Sequence, residues 1–238
     1  MKRVLIVKTG GTLPELRARR GDYEAWIAEG MGFAPRDVDV VEVASGAPLP
    51  EPEAPAGVVV TGSSAMVSHR ESWSDRTGEW LARAVERGTP VLGICYGHQL
   101  LAQALGGEVG RNPRGREIGT VEVRSLAPAQ RDPLLAIWGA AAPAHVTHVE
   151  SVLALPDGAV RLAESDLDPV QAFAVGERAW GVQFHPEFDA DTVRAYLLAR
   201  TDKVRAEGLD PDALLAAIRE TPGAARILPR FAELIRSA

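Results

Sequence analysis

Short apolar runs, many of them β-branched, recur along the chain and are separated by longer segments with helical periodicity. Continuous runs of this kind are typical of strands buried on both faces of a parallel sheet. The pattern predicts strands at residues 4–7, 38–43, 57–61, 91–94, 120–123 and 180–184. Strands of this type need helices on both faces of the sheet to cover them.

The segments between these runs place their apolar residues at helical spacing. Helices are predicted over residues 22–31, 75–87, 99–105, 191–206, 210–219 and 224–237. Asp210 is the expected N-cap of the fifth helix, with Pro211 in its first turn. The alternation of strands and helices predicts the α/β class, with a mostly parallel sheet and helices on both faces. Residues 107–176 favour a small antiparallel subsection, and a helical C-terminal tail follows.

Composition and charge narrow the function classes. The chain has 238 residues, 46% of them hydrophobic and 24% charged, which is typical of a globular domain. The formal net charge of −6 and the aromatic content of 5% argue against binding nucleic acid. No apolar run reaches the roughly 18 residues of a membrane span, and residues 4–7 are too short for the apolar core of a signal peptide. We therefore expect a cytoplasmic protein that contacts neither nucleic acid nor a membrane.

The single cysteine lies in the segment with the densest chemical signal. A predicted buried strand runs into Gly93-Ile94-Cys95-Tyr96-Gly97, and a predicted helix follows. Glycines two residues away on either side of a nucleophile permit the tight, strained turn called a nucleophile elbow. The N-terminus of the following helix favours the thiolate form of Cys95, which is the reactive one. One cysteine also excludes a disulfide within the chain and a multi-cysteine zinc site.

A second motif, His185-Pro186-Glu187, supplies a base and a group to orient it. Pro186 favours an extended conformation at His185, and residues two apart in an extended chain point to the same side. Glu187 is therefore predicted beside the imidazole of His185. The order Cys95, His185, Glu187 then follows the logic of a catalytic triad. His98, three residues after Cys95, is a rival base, but it has no obvious carboxylate to orient it.

These motifs resemble those of class I glutamine amidotransferases, the triad type that hydrolyses glutamine to glutamate and ammonia. Thr61-Gly62-Ser63-Ser64 is similar to the glycine-rich oxyanion loop of this family. Asn112-Pro113-Arg114-Gly115-Arg116-Glu117-Ile118-Gly119 is typical of the branch related to the amidotransferase part of GMP synthase. The resemblance implies a flavodoxin-like amidotransferase domain over residues 1–188. Residues 189–238 are then predicted to form a helical C-terminal extension packed on the same domain.

The resemblance also implies roles for individual residues around the nucleophile. Backbone N–H groups of Gly62 or Ser63 and of Tyr96 would bind the oxyanion that develops at the substrate amide. Gln99 lies one helical turn after Cys95, so both side chains share a face of the helix. In the family, a glutamine at this position helps to hold the amino-acid end of the substrate.

The segment Thr147-His148-Val149-Glu150 resembles a His-x-Asp strand of the family, whose backbone binds glutamine. Thr147 and His148 are therefore predicted substrate contacts. Glu150 stands where aspartate is usual, which leaves two interpretations open. The carboxylate could act at the site, or it could point outward from a half-exposed strand. His145 has no predicted partner and is expected at the surface.

The predicted function is hydrolysis of the glutamine side-chain amide through a glutamyl thioester. Cys95 attacks the amide carbon, His185 transfers protons, and Glu187 orients His185. The resemblance implies a separate synthetase subunit that uses the ammonia, and it implies no metal or cofactor. The alternative is a γ-glutamyl peptidase or hydrolase that applies the same triad to γ-glutamyl conjugates. A non-catalytic regulatory subunit is a third interpretation, and the intact triad argues against it.

Overall fold

The apolar runs form the strands of one large sheet, and a small second sheet lies beside it. The computed structural model describes residues 2–237. Its strands are β1 (Val4–Lys8), β2 (Val38–Glu42), β3 (Gly57–Val60), β4 (Val91–Ile94), β5 (Glu108–Arg111), β6 (Glu117–Ser125), β7 (Ala141–His148), β8 (Glu150–Ala154), β9 (Ala159–Glu164), β10 (Ala172–Val175) and β11 (Ala179–Val182). The large sheet has nine strands in the order β2-β1-β3-β4-β11-β10-β9-β6-β7, and β5 pairs with β8.

The large sheet is parallel in one part and antiparallel in the other. Strands β2, β1, β3, β4 and β11 are neighbours that all run parallel. Strands β10, β9, β6 and β7 continue the same sheet through antiparallel pairs. The predicted α/β class is therefore confirmed, and the antiparallel subsection is an extension of the main sheet.

Helices cover both faces of the sheet. They are α1 (Pro14–Arg20), α2 (Tyr23–Gly30), α3 (Ser72–Glu86), α4 (Tyr96–Ala104), α5 (Ala190–Ala199), α6 (Thr201–Ala206), α7 (Pro211–Ala216), α8 (Pro222–Ala225) and α9 (Ile227–Arg236). Ile6 of β1 joins a core cluster with Ile27 of α2, whereas Val7 joins a second cluster with Leu100 of α4. Because neighbouring residues of β1 face opposite layers, the strand is apolar throughout rather than alternating.

The C-terminal helices return to the core of the main sheet. Phe231 of α9 is fully buried and meets Trp180 of β11 edge to face, with ring centroids 6.1 Å apart. Helix α5 contacts β6 and β7 in the antiparallel part of the same sheet. The predicted division of the chain after residue 188 stays a prediction.

Several helices differ from the prediction, either in their bounds or in their presence. The helix predicted over residues 191–206 is interrupted at Arg200, which separates α5 from α6. Helix α1 was not predicted because it lacks an apolar face, with Leu16 as its buried residue. The side chain of Asp210 accepts N–H groups in the first turn of α7, as predicted.

Candidate active site

Cys95 stands between the end of β4 and the start of α4. Its φ angle is 51°, a value that non-glycine residues adopt mainly where the surrounding structure forces it. A Cβ on Gly93 would lie 2.3 Å from the carbonyl oxygen of Gly97, and a Cβ on Gly97 would lie 2.4 Å from that of Val60. Both glycines are therefore needed for the turn. The result is a buried thiol at the carboxyl end of the parallel strands.

His185 lies in a turn beyond β11 rather than in an extended strand. β11 ends at Val182, so the strand predicted over residues 180–184 is too long. Beyond the strand, the N–H of His185 donates to the carbonyl oxygen of His145 at 2.8 Å, and the chain turns at residues 186–187. Within this turn, Nδ1 of His185 lies 2.8 Å from Oε1 of Glu187. The predicted contact between His185 and Glu187 is present, but a turn, rather than an extended chain, brings the two side chains together.

His185 faces the nucleophile through its other ring nitrogen. Nε2 has no hydrogen-bond partner among residues 2–237, and His185 and Cys95 line the same cavity. A Cβ on Gly62 would lie 3.0 Å from Cε1 of His185 and 3.8 Å from Cβ of Cys95. Phe188 stacks on the imidazole, with ring centroids 4.0 Å apart and planes at 12°. These contacts fix the plane of the imidazole beside the thiol.

The charges at this site favour a thiolate and an imidazolium. Burial raises the pKa of Cys95, but the positive charge of His185 opposes it, and the net pKa lies below that of an ordinary thiol. Burial lowers the pKa of His185, but the carboxylate of Glu187 and the thiolate of Cys95 raise it well above its usual range. Each charge therefore stabilises the other, and the pair favours a nucleophilic thiolate beside a proton donor.

The predicted oxyanion loop, residues 61–64, follows β3 and passes beside Cys95. Oγ of Ser63 donates to the carbonyl oxygen of Thr9 at 3.0 Å, which ties the loop to the segment after β1. The N–H groups of Gly62 and Ser63 donate to no backbone carbonyl of the described residues. The N–H of Tyr96 opens α4, where a helix offers no internal partner. These N–H groups are free to bind an anion, and their assignment to the oxyanion stays a prediction.

A cavity of about 170 Å³ opens on one side of Cys95, and its wall includes Gln99 and Thr147. The amide nitrogen of Gln99 donates to the carbonyl oxygen of Glu150 at 2.8 Å. Oγ1 of Thr147 is buried and has no partner among the described residues. The carboxylate of Glu150 is buried and accepts hydrogen bonds from the N–H and hydroxyl of Ser68. The interpretation of Glu150 as an outward polar residue is therefore wrong.

A buried polar network behind this cavity was not predicted. Nδ1 of His148 lies 2.9 Å from the carbonyl oxygen of Glu150, and Nε2 lies 3.0 Å from Oε2 of Glu117. Glu117 also accepts hydrogen bonds from Ser165 and Gln171. Burial lowers the pKa of His148, but Glu117 raises it above its ordinary value. The His148 ring is thus committed to protein partners, and a contact with substrate would come from its backbone.

A second cavity, of about 240 Å³, also borders Cys95 and is lined by His185. The two cavities share part of their walls, namely Ser63, Ser64, Cys95, Thr147 and Arg200. The hydroxyl of Tyr196 on its wall lies 2.5 Å from that of Tyr23 and 2.9 Å from that of Thr12. Arg200, between α5 and α6, borders both cavities. Neither the two tyrosines nor Thr12 and Arg200 carry a sequence motif, and they come from segments far apart in the chain. They were therefore missed.

Two further histidines are buried near the site. His145 was expected at the surface, and this prediction is wrong, because its side chain is enclosed in β7 with Nδ1 3.2 Å from Oγ1 of Thr120. Burial lowers the pKa of His145 to about 4. His98, the rival base, is also buried and meets Phe173 with ring centroids 5.0 Å apart. Burial lowers its pKa to about 4 as well, so both rings are neutral near neutral pH.

Neither a metal cluster nor a membrane-spanning helix is found among residues 2–237. Residues 2–237 contain no group of three or more His, Cys, Asp or Glu side chains that could hold a metal ion. Across the same residues, no helix has both the length and the apolar character that crossing a bilayer requires.

Known proteins share both the sequence and the fold of this chain. The family model for class I glutamine amidotransferases matches residues 22–202. The GMP synthase [glutamine-hydrolyzing] of Aeropyrum pernix is 40% identical over 193 residues, which cover 77% of this chain and 32% of that protein. A putative glutamine amidotransferase of Saccharomyces cerevisiae, YLR126C, is 33% identical over 63% of this chain and 60% of its own length. A glutamine amidotransferase structure from Thermotoga maritima has a TM-score of 0.76 over 100% of both chains, at 22% identity.

The chain therefore belongs to the class I glutamine amidotransferase family, whose members are glutamine amidohydrolases. Within this family it is similar in sequence to the amidotransferase part of GMP synthases. The chain spans about a third of the length of these curated relatives.

Proposed function

We propose that the chain hydrolyses the side-chain amide of glutamine with Cys95 as nucleophile, His185 as proton carrier and Glu187 as orienting group. One observation carries this proposal more than any other. The strained elbow holds Cys95 at a φ of 51° in the cavity that it shares with His185, and Glu187 lies 2.8 Å from the far nitrogen of that imidazole. A thiol that only filled space would need neither the strain nor the charged pair.

The reaction follows from the two charges at the site. The Cys95 thiolate attacks Cδ of glutamine, and the oxyanion that forms accepts hydrogen bonds from the N–H groups of Gly62 or Ser63 and of Tyr96. The C–N bond then breaks, and Nε2–H of His185 protonates the departing ammonia. Neutral His185 next takes a proton from water, whose oxygen attacks the thioester and releases glutamate. In both steps the carboxylate beside Nδ1 stabilises the charged imidazole.

The cavity lined by Gln99 and Thr147 is proposed to hold the glutamyl group. This cavity has the volume of a small ligand, and Thr147 offers a buried hydroxyl with no protein partner. Gln99 acts by fixing the backbone at Glu150. His148 acts through its backbone, since its ring is bonded to Glu117.

The ammonia is proposed to serve a synthetase. The A. pernix relative is a GMP synthase [glutamine-hydrolyzing], a name that joins glutamine hydrolysis to a synthetic reaction in that protein. We propose that the present chain supplies ammonia in the same way, with the synthetase as a separate subunit.

The γ-glutamyl peptidase alternative is favoured by one observation. The cavity beside His185 is about 240 Å³, whereas a leaving ammonia occupies about 30 Å³, the share of liquid volume that a water molecule has. A leaving group larger than ammonia therefore fits on this side of the nucleophile.

The test is release of glutamate and ammonia from glutamine by the purified chain. We expect turnover in the native chain and none in Cys95→Ala, with Cys95→Ser also inactive because a serine hydroxyl is a poor nucleophile at neutral pH. Thermal unfolding of each variant controls for the fold. Normal turnover in a folded Cys95→Ala protein would overturn the proposed nucleophile.

A further inference from the structure

The guanidinium of Arg200 is a cation at the active site, and it forms no salt bridge with a carboxylate among residues 2–237. It follows the last residue of α5, and its guanidinium lies over the ring of Tyr196, 4.7 Å from the centroid. Nη1 also donates to the carbonyl oxygen of Tyr196 at 3.4 Å. Salt bridges among residues 2–237 join Arg20 to Asp189 and Arg116 to Glu207, but none includes Arg200.

An unpaired cation in this position has a physical cost. Arg200 is half-buried, and burial lowers the pKa of its guanidinium below the ordinary value. Buried charges in proteins are normally paired, because removal from water disfavours the charged form. Arg200 therefore has unused capacity for an anion at the wall of the active site. The planar guanidinium is well suited to a carboxylate, which it can bind through two parallel hydrogen bonds.

The position of His185 shows which side of the scissile bond this cavity serves. His185 protonates the leaving group, so the leaving group must depart toward the imidazole. The cavity of about 240 Å³ contains His185 and Arg200, while the cavity with Gln99 does not include His185. Arg200 borders both cavities, so the experiment must separate a role on one side from a role on the other.

We propose that Arg200 binds the carboxylate of an amino acid that leaves during cleavage, so that the chain accepts γ-glutamyl amino acids as substrates. This inference rests on the proposed Cys95–His185–Glu187 triad. The Sγ of Cys95 bonds to the γ-carbonyl carbon, the C–N bond breaks, and His185 gives its proton to the nitrogen of the departing amino acid. Water then cleaves the thioester, so one γ-glutamyl amino acid and one water give glutamate and a free amino acid.

The experiment compares three substrates: γ-glutamylalanine, γ-glutamylalaninamide and glutamine. The first two differ only in the carboxylate that Arg200 is proposed to bind. A hydrogen-bonded charged pair contributes enough to predict a kcat/KM about 10–100-fold higher for γ-glutamylalanine than for its amide. This comparison in the native chain needs no variant, so it does not depend on whether a variant folds.

Variants then assign the preference to the guanidinium. Arg200→Gln is expected to bring the ratio of the two kcat/KM values close to one, and Arg200→Lys to retain part of it. Arg205→Gln is the matched control, because Arg205 is exposed on α6 and pairs with Asp202 at 3.9 Å. This control should keep the full ratio.

Three outcomes would overturn the inference. The first is equal kcat/KM for the peptide and its amide in the native chain. The second is an equal fall for all three substrates in Arg200→Gln, which would place Arg200 on the glutamyl side. The third is turnover of glutamine with no turnover of either γ-glutamyl compound, which would leave the proposed glutaminase standing. Failure to cleave any of the three would overturn the proposed function as well.

Discussion

The two cavities that meet at Cys95 differ in how their polar side chains are bonded. On the side of Gln99, the amide of Gln99 and both ring nitrogens of His148 are bonded to other protein groups. On the side of His185, Nε2 of His185 is unbonded among residues 2–237. Gln99 and His148 line only the first cavity and are held by protein partners, whereas His185 lines only the second and keeps a ring nitrogen that a ligand can bind. Arg200 and Thr147 line both cavities.

This difference has a consequence for specificity. A fully bonded polar network is rigid, because each buried group would lose its partner if it moved. A rigid wall suits recognition of the glutamyl group that every substrate shares. Unpaired groups on the other side suit leaving groups that vary from ammonia to an amino acid. Substitutions can therefore separate the chemistry that all substrates share from the contribution of each cavity.

Replacement of His185 tests the chemistry that both sides share. His185→Ala is expected to lower kcat about 10⁴-fold or more, because the proton carrier for both steps is lost. The loss should be equal for glutamine and for γ-glutamylalanine, measured by glutamate release. His69→Ala is the control, since His69 is exposed. A loss confined to one substrate would contradict this expectation, because it would show that His185 serves only one of the two cavities.

Glu117 tests the contribution of the hydrogen-bonded network behind the cavity that contains Gln99. Glu117→Gln removes the charge that faces His148, and loss of one partner of a buried pair costs about 3–5 kcal/mol of unfolding free energy. Because the pKa of His148 is raised in the folded chain, the pair stabilises the fold at low pH and loses this contribution as pH rises through that pKa. The difference in unfolding free energy between native chain and variant should therefore shrink as pH increases.

Denaturant unfolding at several pH values measures this difference. Glu122→Gln is the matched control, because Glu122 lies on the same strand with its side chain exposed. A difference in unfolding free energy that does not change with pH would show that the charge of His148 plays no part on this side.

Replacement of Glu187 measures how much the carboxylate that orients His185 contributes to turnover. Glu187→Gln is expected to lower kcat about 10²-fold less than His185→Ala does, because an orienting group contributes less than a proton carrier. Since Glu187 raises the pKa of His185, its removal lowers that pKa. The alkaline limb of the kcat profile, where the imidazolium loses its proton, should move to lower pH.

A pH profile of glutamate release checks this shift, with Glu177→Gln as an exposed control. A loss as large as that of His185→Ala, with the fold intact, would argue against this division of roles.

Phe188 gives the smallest expected effect. Phe188→Leu keeps an apolar contact but removes the ring that stacks on the imidazole at 4.0 Å. An aromatic face stabilises a neighbouring cation by about 0.5–2 kcal/mol. We expect kcat to fall less than about tenfold, with the alkaline limb displaced to lower pH by about 0.4–1.5 units. Phe33→Leu, at a partly exposed ring away from the site, should leave the profile unchanged. An unchanged pH profile in Phe188→Leu would show that Phe188 only fills space beside the imidazole.

Parts of this site could be predicted from sequence because local geometry demands particular residues. The elbow needs glycines at fixed distances from Cys95, and the structure leaves no space for a Cβ at Gly93 or Gly97. Spacing also identified the pair of His185 and Glu187, although the backbone between them forms a turn. The α/β class followed from the continuous apolar strands, whose residues face two layers.

Other parts depend on contacts between distant segments, which spacing does not encode. Glu117 lies in the sequence motif of residues 112–119, but its partner His148 is 31 residues away in the chain. Arg200 follows α5, which contacts β6 and β7, and it lines the same cavity as Cys95, a residue 105 positions earlier in the chain. His145 looked like a surface residue because the sequence does not show that β7 is covered by the turn of His185.

Cys95 and His185 are proposed to form a thiolate–imidazolium pair before substrate binds. The most direct measurement is the rate of alkylation of Cys95 by iodoacetamide as a function of pH, which reports one site because the chain has a single cysteine. The account predicts a midpoint below about 8.5, the pKa of an unperturbed thiol, and a higher midpoint in His185→Ala, where burial acts on the thiol without the opposing charge. A midpoint at or above that of an ordinary thiol in the native chain, unchanged in His185→Ala, would contradict the account.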